Sequence, residues 1–120
     1  MKYMLLIYGN EATWAAFPAE QADAVFRETD ALNRELLSTG ELVGAYGLAN
    51  QDSAKMVWTA DGMPAVTDGP FLESKEHLAS FTILECDSLD RALEIAARNP
   101  ASRYVGVEVR LLTHEAPLEM

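Results

Sequence analysis

Two rhythms of hydrophobic spacing run through this chain, and they divide it into strands and helices. Lys2–Tyr8 is a nearly unbroken apolar run closed by Gly9-Asn10, which predicts a buried strand. Residues 11–17 read as a loop holding Trp14 and Phe17, and Pro18 suits the first turn of a helix. Ala22, Val25, Phe26, Thr29, Leu32, Leu36 and Leu37 then fall at helical spacing, with Asp23, Arg27, Asp30 and Arg34 between them. That pattern predicts an amphipathic helix over about 19–39, stopped where Gly40 supplies a left-handed residue.

Leu42–Leu48 is a second predicted strand, in which Gly44 and Gly47 allow a bend or a close backbone approach. Lys55–Thr59 and Met63–Val66 flank Asp61-Gly62, a two-residue hairpin signal, and Pro64 confines the second of them to an edge. Leu78–Cys86 is a long strand with apolar residues in both alternating sets. Asp87 or Ser88 is placed to cap a second helix whose expected stripe is Leu89, Ala92, Leu93, Ala96 and Ala97, ended by Asn99-Pro100. Tyr104–Leu112 alternates cleanly, with Val105, Val107, Val109 and Leu111 on one side and Gly106, Glu108, Arg110 and Leu112 on the other.

The order β-α-β-hairpin-β-α-β predicts one domain, residues 1–120, folded as an α+β ferredoxin-like βαββαβ sandwich with an extra β-hairpin. Both helices are expected on one face of an antiparallel sheet. The other face keeps apolar content, so a homodimer packed sheet against sheet is expected to cover it.

Composition narrows the function classes. A formal net charge of −10, with nine scattered Lys and Arg, argues against nucleic acid as a partner. No apolar run reaches the ~18–20 residues of a membrane span, and the opening run is too short for a secretory leader. The single cysteine, Cys86, excludes an internal disulfide and fits a reducing cytoplasm.

Candidate chemistry concentrates in residues 67–78. Asp68-Gly69-Pro70 is turn chemistry, which Phe71 is expected to pin to the core. Asp68 on such a turn reads either as a general base or as a carboxylate bonding backbone N–H groups. Glu73 is a candidate for proton transfer and Lys75 for binding an anionic group, against the alternative of a solvated charged loop that also holds Glu76. His77 is a candidate acid or base, or a surface residue opening a strand. On the last strand Arg110 is a candidate carboxylate binder or an ion-pair partner of Glu108, and Tyr8 a hydroxyl reaching the same cleft or ordinary packing. No Cys/His spacing fits zinc, no phosphate-cradling glycine loop occurs, and no nucleophile elbow is present, so no metal or cofactor is expected.

Asp68-Gly69-Pro70-Phe71, followed by Glu73 and Lys75-Glu76, resembles the signature of the DGPF-domain proteins of the YCII-related superfamily. Lys2-Tyr3-Met4-Leu5-Leu6-Ile7-Tyr8 and Val107-Glu108-Val109-Arg110 resemble that family's first and last strands. His77-Leu78-Ala79-Ser80-Phe81 stands where the family often shows Gln-Leu-Gly-Gly before an aromatic residue. The resemblance implies a dimer of the dimeric α/β-barrel type. It leaves three functions open: a small-molecule enzyme using carboxylate acid/base chemistry beside residues 68–77, a non-catalytic ligand-binding module, and a regulatory interaction module associated with sigma-factor systems.

Overall fold

The structure, a computed structural model, describes residues 1–69 and 75–118. Expectations resting on Phe71 and Glu73 lie outside the described residues.

In chain order the elements are β1 (Lys2–Gly9), α1 (Glu11–Ala15), α2 (Ala19–Thr39), β2 (Leu42–Gly47), β3 (Lys55–Ala60), β4 (Met63–Asp68), β5 (His77–Glu85), α3 (Leu89–Arg98) and β6 (Glu108–Leu111). Four strands form an antiparallel sheet in the order β2-β5-β1-β6, and β3 and β4 pair as a separate ribbon. With the ribbon set aside, the strand order is that of the ferredoxin-like split βαβ sandwich.

Registers decide which residues meet the helices. Tyr3 stands opposite Leu84 and Leu111, Leu5 opposite Thr82 and Val109, and Ala45 opposite Thr82. These side chains share the helix-covered face, because successive strand residues alternate. Leu5 and Leu84 meet Leu32 and Leu36 of α2 and Ile95 and Ala96 of α3 in one buried cluster. A second cluster joins Tyr3, Cys86 and Ala92. Burial raises the Cys86 thiol above its ordinary pKa, which suits a structural role. The opposite face carries Met4 against Ile83 and Arg110, and Tyr46 against Phe81 with ring centroids 5.1 Å apart.

Three local features differ from the sequence reading. Residues 11–15 are helical rather than a loop, because Asn10 and Thr13 form a reciprocal capping box: the Thr13 N–H donates to Asn10 Oδ1 at 2.9 Å, and the Asn10 N–H to Thr13 Oγ1 at 3.3 Å. The buried stripe of α3 is Ala92, Ile95 and Ala96, while Leu89 and Leu93 are about half exposed. Ser88 caps that helix and sets its phase by accepting from the Arg91 N–H at 3.1 Å. The last strand begins only at Glu108. A 3₁₀ turn at Pro100–Arg103, capped by Asn99, and a left-handed Gly106 with φ of 78° interrupt the extended run expected from Tyr104.

α2 ends as its sequence predicts. Gly40 adopts φ of 81° and its N–H donates to the carbonyls of Leu36 and Leu37. Just beyond it Glu41 accepts two hydrogen bonds from Arg91, from Nε and Nη2 at 2.8 Å each, and a third from Thr39 Oγ1 at 2.8 Å. The pair ties the end of α2 to α3 and is mostly shielded from solvent. The Arg91 guanidinium holds the Glu41 carboxyl down at about 2, from an ordinary value of 4.5. A carboxyl depressed on folding stabilises the native state above its unfolded pKa, and that contribution fades as pH falls towards the folded one. Glu41→Gln is therefore expected to cost about 1–3 kcal/mol near neutrality. In urea melts across a pH series, the gap between the two proteins should shrink as pH falls from 4.5 to about 2. A gap independent of pH would contradict this assignment.

Candidate functional site

The helix-covered face of the sheet is filled only along half of α2. Leu32 and Leu36 are buried, whereas Ala22, Val25 and Thr29, one to three turns earlier, are only half-buried, and Phe26 is 69% exposed. The reason lies in side-chain volume. Beneath the C-terminal half stand Leu5, Leu84 and Val109. The residues lining the space beneath the N-terminal half include Ala45, Gly47, Ser80 and Thr82 from the sheet and Ala22 from the helix. Small residues on both walls cannot meet across a helix-to-sheet gap, so a cavity of about 640 Å³ remains.

Aromatic residues border it. Phe17 packs edge-on against Tyr104 with centroids 4.7 Å apart, and the Tyr104 hydroxyl donates to Gln21 Oε1 at 3.0 Å. That bond ties the segment after α3 to the start of α2. Trp14, on the capped turn of α1, closes another side. Its indole lies directly on Gly9, where a Cβ would come within 2.3 Å of the ring. Glycine is required there by close approach, and it brings the tryptophan against the sheet.

No Asp, Glu, Lys, Arg or His lines this cavity among the described residues. Several of its polar groups are already engaged. The Thr29 hydroxyl donates to the Val25 carbonyl at 2.8 Å, and Asn99 Oδ1 accepts from the Ala101 N–H at 2.9 Å.

A second cavity of about 290 Å³ adjoins the first, and Trp14 and Ala79 border both. Its walls also include Gly9, Asn50, Gln51 and His77. The Gln51 amide nitrogen is buried with no hydrogen-bond partner among the described residues.

The described residues among those singled out from sequence are not gathered at one point. His77 opens β5 and borders the smaller cavity. Asp68 ends β4, and its exposed carboxylate pairs with Lys55, the residue directly opposite it in the ribbon. Such exposed cross-strand pairs contribute about 1 kcal/mol or less. Lys75 is exposed on the approach to β5. Arg110 is exposed on the open face of the sheet opposite Met4, and Tyr8 stands on β1 opposite Leu78 beside a register irregularity. Asp68, Lys75, Arg110 and Tyr8 border neither cavity. Among the described residues, no group of three or more His, Cys, Asp and Glu side chains is arranged to hold a metal ion, and no helix is long and apolar enough to cross a membrane. The cavity wall itself escaped the sequence reading. Its signal was a run of small residues on helix-facing strand positions, Ala45, Gly47, Ser80 and Thr82, opposite Ala22.

The family model of the YCII-related domain matches residues 1–115. The chain belongs to the YCII-related family. An uncharacterized protein of Rhizobium meliloti (strain 1021) is 33% identical over 124 residues, covering all of this chain and 98% of that relative. Among solved structures, the chain is similar to the 5-chloro-2-hydroxyhydroquinone dehydrochlorinase of Burkholderia phenoliruptrix AC1100, in complex with 2,5-dihydroxybenzoquinone. That similarity has a TM-score of 0.49 and 12% identity, over 96% of each chain.

The Gly9–Trp14 contact yields a direct test. In a Trp58→Phe background, which leaves Trp14 as the lone indole, Gly9→Ala should push the ring off β1. The expected result is a red-shifted emission and a loss of about 1–3 kcal/mol in stability. Unchanged emission would contradict the close approach.

Proposed function

We propose that this YCII-related protein is a homodimer that binds a small molecule in the cavity between the sheet and the N-terminal half of α2. The observation that carries the reading is the cavity itself. It has about 640 Å³, within the range of small-molecule sites, and its walls are largely apolar with a few polar groups. The whole chain, 1–120, is read as one domain, and the Asp68-Gly69-Pro70-Phe71 sequence supports placing it with the DGPF-type members of the family.

Support for the homodimer comes from surface left uncovered by one copy. Tyr46 on the open face is 51% exposed. The β3–β4 ribbon makes little contact with the other described elements, and Val57, Trp58, Met63 and Val66 are each more than 60% exposed on it. An isolated two-stranded ribbon is marginal in water. The radius of gyration is 16.8 Å, against roughly 14 Å for a compact chain of this length. Pairing of two sheets in the dimeric α/β-barrel manner covers the open face and gives the ribbon a surface to lie on.

A second reading, catalysis, is favoured by His77, which stands at the cavity adjoining the main one. The carboxylate route through Asp68 has less support, since that side chain pairs with Lys55 and borders neither cavity. In a catalytic protein His77 would therefore hold the proton. His77→Asn would abolish turnover, while Asp68→Asn would leave turnover intact and stability within about 0.5 kcal/mol.

Light scattering after size exclusion should give twice the 13.2 kDa chain mass, and Met4→Glu with Ile83→Glu, which border neither cavity, should reduce it to one chain. Native mass spectrometry of the purified protein should show a small molecule retained at one copy per chain. A monomer carrying no compound, and not stabilised by any member of a metabolite panel, would overturn the reading.

A further inference from the structure

We propose that the ligand of the large cavity is uncharged and ring-shaped, its polar groups being neutral hydroxyls or carbonyls. This rests on the reading of that cavity as the ligand site and assigns its chemical class.

The argument begins from charge. The chain carries −10 overall, yet no charged side chain borders the cavity among the described residues. An anion entering it would lose hydration, find no Lys, Arg or His to replace it, and approach an acidic protein. A cation would be drawn to the acidic exterior but would meet no carboxylate inside. Aromatic faces are the remaining means of holding a cation. Phe17 and Tyr104 are joined edge to face with the Arg103 guanidinium over the Tyr104 ring, Tyr46 packs on Phe81, the Trp14 indole is laid against Gly9, and Phe26 is 69% exposed, so the lining rings are not gathered into an open cage.

Shape and polarity narrow the class further. The floor is the sheet, where the small residues Ala45, Gly47, Ser80 and Thr82 stand beside Ile7, Tyr46 and Phe81, and the roof is a helix. A slot between two such layers suits a flat ring system. Thr29 and Tyr104 already donate their hydroxyl protons within the protein and Asn99 Oδ1 is engaged, so the polar side chains that line the cavity and can meet a ligand include Asn33, Ser80 and Thr82, together with the Trp14 indole N–H and the Tyr46 hydroxyl. Neutral hydroxyls, an amide and an indole N–H match a ligand hydroxyl or carbonyl and do not neutralise a formal charge.

A nearly isosteric set of probes tests this: 2-naphthylmethanol, 2-naphthoate and 2-naphthylmethylammonium, titrated at neutral pH by isothermal calorimetry into the intact protein. The alcohol is expected to bind once per chain, roughly tenfold or more tighter than either charged analogue. Thr82→Phe, filling the slot from the sheet, and Ala22→Trp, filling it from the helix, should each weaken that binding by about tenfold or more. Two variants from opposite walls guard against misfolding of one. If a charged analogue binds as tightly as the alcohol and both filling variants remove it, the uncharged class is overturned while the cavity stands as the site. If binding is indifferent to both filling variants, the cavity reading fails and the inference falls with it. Absence of saturable binding by all three probes also overturns the inference.

Discussion

Everything in this molecule that bears on function depends on where α2 is held. Leu32 and Leu36 sit on Leu84 and Leu5 and against Ile95, and in that cluster helix, sheet and second helix all meet. Each large side chain buried there contributes about 1.5–3 kcal/mol. The Glu41–Arg91 pair fastens the same end of the helix to α3, and Gly40 ends it at the edge of the cluster. Two turns towards the N-terminus the facing residues shrink, and the contact that would close the layer is absent. The helix is thus a beam fixed at one end. The free end is propped by the Tyr104–Gln21 bond, and the space beneath it is the cavity.

How much of this could be read from residues alone varies with the physics involved. The span of α2 and its stop at Gly40 were legible, because a 3.6-residue stripe and a glycine at a left-handed position are local properties. The Asp61-Gly62 turn was legible for the same reason: both residues have positive φ, at 54° and 76°. The face of α3 was misread by one step. Leu89 and Leu93 looked like core, yet Ser88 caps the helix in a phase that turns Ile95 inward. Hydrophobicity alone could not distinguish those stripes. The last strand was read too long because alternation persists through Tyr104–Val107, while Asn99-Pro100 and Gly106 dictate turns there.

The functional reading moved furthest. Ionisable residues crowd the 67–78 segment, and residues 70–74 of it lie outside the described residues. Strands alternate and separate, and Asp68 and His77 belong to different sheets. Asp68 faces its cross-strand partner Lys55, and His77 borders a recess on the main sheet. The more informative signal was an absence of bulk at Ala45, Gly47, Ser80, Thr82 and Ala22. It becomes visible only when strand register shows that these positions share one space. Membership of the YCII-related family does not specify a ligand, and that wall is what carries the chemistry.

Amide hydrogen exchange along α2 tests the central claim most directly, because it reads the two halves of one helix separately. Amides over residues 23–29 should exchange faster than those over 32–39 in the free protein, and 2-naphthylmethanol should slow the first group alone. Uniform protection along the whole helix, unchanged by the added compound, would contradict an α2 fixed at one end above an open slot.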